Sequence, residues 1–213
     1  MSSLHRSVYS IFIFKLLQLV PSARFQFCQG LGFAQPQFGV VMGRRLTTPS
    51  DIKHMEGLLP LHYGADAVEI PGARDLLDAV TEGNVPWAIV TSGTTPLVRG
   101  WLKVLDLPVP QHLVVAEDVE NGKPDPSCYR MGLQKLHFDA GADVLVLEDS
   151  PAGIRAGKAA GCKVLGIVTS HTVDQVISAG PDWIVKDLRS LKVVGNTEKG
   201  VEVEISNALG LKE

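Results

Sequence analysis

The chain has 213 residues, with 20 Lys and Arg against 23 Asp and Glu, a net charge of -3. This mild charge, without a run of Lys or Arg, gives no indication of a nucleic-acid partner, and the length suits one sizeable α/β domain with at most a small appended one. Three cysteines, Cys28, Cys128 and Cys162, are too few and too scattered for a disulfide framework or a zinc cluster, which fits a reducing compartment.

Residues 1–42 form an atypical N-terminal segment. Residues 1–50 contain no Asp or Glu and hold six of the seven Phe. The apolar run from Val8 to Val20 is interrupted by Lys15 and is shorter than the roughly 20 residues that cross a bilayer. Three interpretations stay open: an altered start, a transit peptide, or a secretory signal with Ala23 near its cleavage point. We expect a cytoplasmic protein without a membrane span, or a mitochondrial one if the segment is a transit peptide.

From about residue 71, buried strands alternate with amphipathic helices, which predicts an α/β fold with a parallel sheet. The predicted strands are Trp87–Val90, Leu113–Ala116, Val144–Leu147, Val164–Val168 and Trp183–Val185. The predicted helices are Ala73–Glu82, Pro96–Leu105, Pro126–Leu136 and Ala152–Ala160. A polar, helix-prone stretch at Asp51 to Leu59 precedes them and is either part of a cap or a surface helix without a role.

Two carboxylates, Glu148 and Asp149, directly follow the apolar strand that begins at Val144. Ser150 and Pro151 after them are typical of a helix N-cap and first helical position. The pair is therefore expected at the carboxyl edge of the sheet, where open α/β folds bind ligands, and its hard oxygens suit Mg2+. The alternative is that acidic residues simply suit the dipole of a helix N-terminus.

Three segments in this order resemble the haloacid dehalogenase-like (HAD) phosphatase superfamily. They are Ala88-Ile-Val-Thr-Ser-Gly-Thr94, Asn121-Gly-Lys-Pro-Asp-Pro126 and Val146-Leu-Glu-Asp-Ser-Pro-Ala-Gly-Ile154. The amino-acid sequences of these segments are most similar to those of the fungal glycerol-3-phosphate and 2-deoxyglucose-6-phosphate phosphatase branch. The resemblance implies a HAD-like Rossmannoid sheet with helices on both faces and a remnant of a helical cap. The expected divisions are 1–42, a partial cap and linker at 43–70, the core at 71–196, and a tail at 197–213.

The resemblance also implies roles for site residues. Thr91, with its hydroxyl, and Ser92, with its backbone N–H, are expected to bind phosphate. Lys123 is expected to bind phosphate and neutralise charge, so that Thr91 and Lys123 are the catalytic candidates. Glu148 and Asp149 are expected to hold Mg2+ as the cofactor. Seen alone, Thr91 and Ser92 could instead cap the next helix, and Lys123 could be a solvated loop residue.

The nucleophilic aspartate of the family, in Asp-x-Asp-Gly at the end of the first strand, has no counterpart in this sequence. The nearest formal match is the run from Tyr9, with Lys15 at the nucleophile position and Leu17 at that of the second acid. In the family this strand is central, so here it is either missing or replaced by a segment such as Val8–Phe14 or Phe38–Met42.

We therefore expect a Mg2+-dependent hydrolase of small phosphate monoesters, such as polyol or sugar phosphates, whose nucleophile segment is absent. The expected partner is a small phosphorylated metabolite and the expected state a monomer. The alternative is a non-catalytic phosphate- or partner-binding protein on the same scaffold. A sugar phosphomutase ranks third, since it would need the absent second acid and a second phosphate site.

Overall fold

A computed structural model describes residues 4–8, 10–13, 17–19, 40–41, 44–45, 48–139, 141–197 and 200–209. Its strands are β1 (Leu4–Val8), β2 (Ser10–Ile13), β3 (Leu17–Leu19), β4 (Val40–Val41), β5 (Arg44–Arg45), β6 (Ala67–Glu69), β7 (Trp87–Val90), β8 (His112–Val114), β9 (Val144–Glu148), β10 (Lys163–Ile167), β11 (Trp183–Val185), β12 (Leu191–Thr197) and β13 (Gly200–Ile205). Its α-helices are α1 (Pro49–Tyr63), α2 (Ala73–Glu82), α3 (Thr95–Val104), α4 (Ser127–Lys135), α5 (Pro151–Ala159) and α6 (Val173–Ser178).

Six of the described strands form one parallel sheet in the order β11-β10-β9-β2-β7-β8. In β7 and β9 every residue is buried, as expected for strands covered on both faces. The buried core joins these strands to α4 and α5 through residues such as Tyr129, Leu133 and Ile154. The expected α/β parallel sheet is confirmed.

The central position of this sheet is filled by β2. Its backbone pairs in parallel with β7 on one side, with Ile13 opposite Ile89, and with β9 on the other, with Ile13 opposite Leu147. Of the two candidate segments, Val8–Phe14 therefore contains the replacement strand. The second candidate, Phe38–Met42, contains β4, which pairs with β5 in a separate two-stranded sheet.

A second, antiparallel sheet in the same compact unit has the order β1-β13-β12. Its middle strand alternates buried and more exposed residues, with Val201, Val203 and Ile205 buried. This alternation is what a sheet with one packed face requires. The sheet thus joins the beginning of the chain to residues 191–205 by backbone hydrogen bonds.

The chain divides into two compact units, which do not follow the linear order of the sequence. One comprises 1–16, 69–92 and 108–213, and the other 17–68 and 93–107. The second unit groups α3 with residues 17–68. The divisions expected from the sequence, at residues 42, 70 and 196, stay predictions. Among the described residues, no helix has both the length and the apolar character needed to cross a membrane.

Helices α1 and α3 pack closely within the second unit. A Cβ atom added at Gly100 would lie 2.6 Å from Cγ of Pro60, and one at Gly57 would lie 3.0 Å from Cβ of Pro96. The two glycines therefore admit the proline rings of the facing helix. Helix α1 covers the predicted stretch at Asp51 to Leu59 and begins with a capping box between Thr48 and Asp51.

Predicted and observed boundaries agree closely in the core. β7, β11 and α2 have the predicted bounds, and the other predicted core elements differ by one or two residues at their ends. The N-cap of α4 is Pro126, and the carboxylate of the preceding Asp125 accepts the backbone N–H of Ser127 at 2.8 Å. This hydrogen bond still satisfies one of the open donors of the first turn.

Candidate active site

The carboxyl end of β9 leads directly into α5, as the sequence indicates. Ser150 is the N-cap, its hydroxyl accepts the backbone N–H of Gly153 at 3.0 Å, and Pro151 occupies the first turn. The helix start therefore follows immediately after the two acidic residues. Both are buried, with Glu148 at 0% and Asp149 at 1% exposure.

Glu148 is held by five hydrogen bonds. Its Oε1 accepts from Lys123 Nζ at 2.7 Å and from the Tyr129 hydroxyl at 2.9 Å. Its Oε2 accepts the backbone N–H groups of Asp149 and Ser150, each at 3.0 Å, and the Ser150 hydroxyl at 3.1 Å. A buried carboxylate with this many donors is well satisfied. In this conformation Glu148 connects β9, α5 and the loop that carries Lys123.

Lys123 places its ammonium between the ends of two strands of the sheet. Besides Glu148, its Nζ donates to the backbone carbonyl of Val90, the last residue of β7, at 3.2 Å and to the Tyr129 hydroxyl at 3.1 Å. β7 and β9 flank the central strand β2, so Lys123 links the two strands on either side of it. The peptide bond from Lys123 to Pro124 is cis.

The Lys123 and Glu148 side chains form a buried ion pair, with exposures of 4% and 0%. Burial lowers the pKa of the Lys123 ammonium, and the nearby Glu148 carboxylate opposes this change. Burial and the same carboxylate raise the pKa of Tyr129 well above its ordinary value. Tyr129 therefore stays a neutral phenol that can donate to Glu148 and accept from Lys123.

Asp149 is oriented by two hydroxyl groups from a distant loop. Its Oδ2 accepts from Thr169 Oγ1 at 2.9 Å and from Ser170 Oγ. These residues follow β10, the neighbour of β9 in the sheet, and Ser170 Oγ also lies 2.8 Å from Nδ1 of His171. These two hydrogen bonds restrict the orientation of the Asp149 carboxylate.

Thr91 and Ser92 follow β7 at the same edge of the sheet. The Thr91 backbone N–H donates to the Val114 carbonyl of β8 at 2.9 Å, which extends the strand pairing by one residue. Thr91 is half-buried and Ser92 is exposed. Neither caps the next helix, whose N-cap is Thr94, so the capping alternative does not describe them.

The structure brings Lys123, Glu148 and Asp149 together and places Lys123 against the residue that precedes Thr91. Sequence reasoning missed Tyr129, whose position matches an ordinary core residue of α4, and it missed Thr169 and Ser170, which lie in the loop after β10. It also missed Gly153, where a Cβ atom would lie 1.7 Å from Glu148 Oε1. Lys15 lies outside the described residues, so the alignment that places it at the nucleophile position stays a prediction.

The described residues provide an incomplete set of oxygen ligands for Mg2+. In that part of the chain, no group of three or more His, Cys, Asp and Glu side chains lies close together around a possible metal position. Both oxygens of Glu148 already accept hydrogen bonds, and residues 1–50 contain no Asp or Glu that could add a carboxylate from the central strand. A cation that demands near-octahedral oxygen coordination is therefore not fully accommodated.

The strand order and the polar residues at the carboxyl edge of the sheet define an α/β protein of the Rossmann-like class, whose ligands bind at that edge. The family model described as haloacid dehalogenase-like hydrolase matches residues 61–174, and the chain belongs to this family. The predicted resemblance is thereby confirmed.

Similar proteins of known activity are phosphatases. Glycerol-1-phosphate phosphohydrolase 1 of Saccharomyces cerevisiae is 38% identical over 72% of this chain. The 2-deoxyglucose-6-phosphate phosphatase 1 of the same yeast is 36% identical over 78% of this chain and 76% of its own length. The match to the glycerol-1-phosphate phosphohydrolase spans 64% of that protein's length.

Solved structures agree on the fold. A HAD hydrolase of family IA from Entamoeba histolytica superposes with a TM-score of 0.66 at 18% identity, over 85% of this chain and 94% of that one. A hydrolase from Pseudomonas syringae has a TM-score of 0.64 at 21% identity, over 86% and 94% of the two chains.

Proposed function

We propose that this protein carries the site of a hydrolase for small phosphate monoesters of the polyol or sugar phosphate kind. The observation that carries the proposal is the buried Lys123 ammonium, which joins the ends of β7 and β9 at the ligand-binding edge of the sheet. Its relatives, which include phosphatases of glycerol phosphate and of a deoxyhexose phosphate, support the substrate class.

In this proposal Thr91 and Ser92 bind the phosphoryl oxygens, through the Thr91 hydroxyl and the Ser92 backbone N–H. Lys123 acts mainly through its charge, because it donates hydrogen bonds to three protein acceptors. A cation in a site with little water interacts more strongly with an anion than it would at the surface. Asp149 faces the ligand with a carboxylate fixed by Thr169 and Ser170.

Mg2+ remains the cofactor that the family resemblance implies, and it would supply charge to the phosphoryl group. Glu148 and Asp149 are the residues that would hold it, and Glu148 already accepts five hydrogen bonds from described residues. Because the described donor set is incomplete, we propose that Mg2+ binds only weakly.

Hydrolysis by the family's chemistry needs a carboxylate that attacks phosphorus, and none is available in residues 1–50. Loss of a nucleophile lowers the rate by on the order of 10^4- to 10^6-fold in other hydrolases. This favours a second candidate for the chain as it stands, a protein that binds phosphate esters on the HAD-like scaffold without turnover. We further propose that the protein is a monomer and that its ligand is a small phosphorylated metabolite.

Counting along the sequence supports the alignment of Lys15 with the nucleophile. Lys15 comes two residues after Ile13, as Thr91 comes two residues after Ile89 and Asp149 two residues after Leu147. Ile13 is opposite both Ile89 and Leu147 in the sheet. Replacing Lys15 and Leu17 with Asp would therefore restore the family's pair of acids in sequence.

The test measures hydrolysis of p-nitrophenyl phosphate with Mg2+ by four proteins: the parent, Asp149→Asn, the double variant Lys15→Asp/Leu17→Asp, and its counterpart Lys15→Asn/Leu17→Asn. We expect background rates from the parent and from Asp149→Asn. The Asp pair should raise the rate at least about 100-fold, a fraction of what a nucleophile contributes, and the Asn pair should not. A parent rate well above that of Asp149→Asn would instead show turnover without the family's nucleophile.

Binding is measured separately, by titrating the parent with inorganic phosphate. Lys123→Met should abolish the binding. The matched control Lys135→Met removes another lysine that donates to a backbone carbonyl, that of Leu113 at 2.7 Å, and should leave the affinity unchanged. Equal loss in both variants would reject the proposed site.

A further inference from the structure

We propose that Tyr129 is a positioning residue of this site, whose hydroxyl fixes the direction of the Lys123 ammonium at the end of β7. The inference rests on the proposed function, in which Lys123 supplies the positive charge for a phosphate ester. It concerns a residue that no motif of the sequence marks as functional.

The Tyr129 hydroxyl is the shared partner of both charged groups. It accepts from Lys123 Nζ at 3.1 Å and donates to Glu148 Oε1 at 2.9 Å. The Lys123 Nζ also lies 4.7 Å from the centre of the Tyr129 ring, within the range of a cation–π contact. One side chain thus contacts the cation through both its hydroxyl and its ring face.

Tyr129 is itself rigidly placed. It is 0% exposed and belongs to the buried cluster that also contains Cys128 and Leu133 of α4. Close packing of this kind restricts a side chain to one rotamer. The hydroxyl therefore cannot follow Lys123 if the lysine moves, and it acts as a fixed reference point for the ammonium.

The hydrogen-bonding geometry of the Lys123 ammonium explains why the Tyr129 hydroxyl affects its position. An ammonium has three N–H groups, and acceptors for three are present in Val90, Tyr129 and Glu148. Three acceptors in three directions restrain the position of Nζ, and loss of the Tyr129 hydroxyl removes one of these three restraints. Tyr129→Phe removes only the hydroxyl and keeps the ring, so it isolates this effect.

The experiment observes the ammonium directly, by NMR of the folded full chain labelled with 15N at the lysine side chains. A buried, hydrogen-bonded ammonium gives a slowly exchanging Nζ resonance, which is assigned to Lys123 by its loss in Lys123→Met. In Tyr129→Phe we expect this resonance to shift and its hydrogen exchange with water to accelerate at least about tenfold. The control Tyr63→Phe removes a hydroxyl from α1 and should leave the resonance unchanged.

The second readout is the affinity for inorganic phosphate, which should weaken about 3- to 10-fold in Tyr129→Phe, the range expected for one hydrogen bond. A change in the resonance together with weaker phosphate binding supports the proposal. An unchanged Lys123 resonance in the folded variant overturns it, and so does a changed resonance with an unchanged phosphate affinity.

The proposed function can fail separately. If the parent does not bind phosphate at all but the Lys123 resonance responds to Tyr129→Phe, the hold of the hydroxyl on the ammonium is supported and the phosphate-binding role of the site is rejected. If the Tyr129→Phe variant does not fold, the parent protein decides instead. A nuclear Overhauser effect between the Lys123 ammonium protons and the Tyr129 ring supports the proposal, since the Nζ lies over that ring, and the absence of this effect overturns it.

Discussion

Gly153 is the position at which one added methyl group should disrupt the site. A Cβ atom there would lie 1.7 Å from Oε1, 2.0 Å from Cδ and 2.5 Å from Oε2 of Glu148. All three distances are far shorter than a van der Waals contact, so a small rotation of the carboxylate cannot relieve them. In Gly153→Ala, Glu148 must therefore leave its place between α5 and Lys123.

The loss of stability in Gly153→Ala follows from the interactions of Glu148 that are broken when its carboxylate moves. Lys123 is 4% exposed and would lose its ion-pair partner, which costs about 3–5 kcal/mol for a buried pair. Alanine in place of glycine in a helix increases the free energy of unfolding by up to about 1 kcal/mol, which offsets part of this loss. We expect the free energy of unfolding to fall by about 2–4 kcal/mol, from the difference between these two contributions.

The measurement is urea unfolding followed by tryptophan fluorescence, arranged as a double-mutant cycle with Glu148→Ala. In the Glu148→Ala background the added methyl group meets no carboxylate, so Gly153→Ala should cost nothing there and the coupling should be at least about 2 kcal/mol. Gly122→Ala is the control, because a Cβ atom at Gly122 meets nothing within 4 Å. Additive effects of the two substitutions would show that Glu148 does not lie against α5.

Two further predictions concern other parts of the chain. A Cβ atom at Gly100 would lie 2.6 Å from Cγ of the rigid Pro60 ring. Gly100→Ala should therefore lower the free energy of unfolding by about 1–2 kcal/mol through overpacking, as measured by the same unfolding assay. An unchanged free energy of unfolding would contradict the close packing of α1 and α3. Hydrogen bonds from Arg189 hold the pKa of Asp187 below its ordinary value, so this carboxylate stabilises the fold above its unfolded pKa near 4 and loses that contribution as the pH falls. Asp187→Asn should therefore destabilise the protein at pH 7 but less so near pH 3, and a difference that stays constant with pH would refute this.

Much of the core could be predicted because local patterns determine it. The strand from Val144 is a continuous apolar run, and Ser150 with Pro151 fixes the start of α5 by hydrogen bonding and by a preset backbone angle. The position of Asp149 followed from its place directly after a buried strand, because the carboxyl ends of parallel strands meet at one edge. The position of Lys123 followed from the family resemblance alone.

The remaining site residues have no local pattern. Tyr129 is one apolar-faced residue of an amphipathic helix, and only the three-dimensional fold shows that its hydroxyl meets two charges. Ser170 reaches Asp149 across 21 residues of sequence, and Gly153 is needed because of a side chain on the preceding strand rather than because of its own backbone. Such contacts depend on how β9, β10 and α4 come together, which spacing along the chain does not express.

The central strand shows that the demands of the sheet and those of the chemistry are separate. A place between β7 and β9 requires backbone donors and acceptors in register and side chains compatible with burial, and Ser10–Ile13 supplies the backbone pairing. The chemistry requires a carboxylate at one position after that strand, and no residue up to Ser50 is acidic. Many short apolar segments can meet the first demand, whereas only a specific residue meets the second. The sheet can therefore form around β2 and preserve the arrangement of Lys123, Glu148 and Asp149 without preserving turnover. For this reason, a gain of hydrolysis in the Lys15→Asp/Leu17→Asp variant tests the proposed site more directly than the loss of any residue that the chain still has.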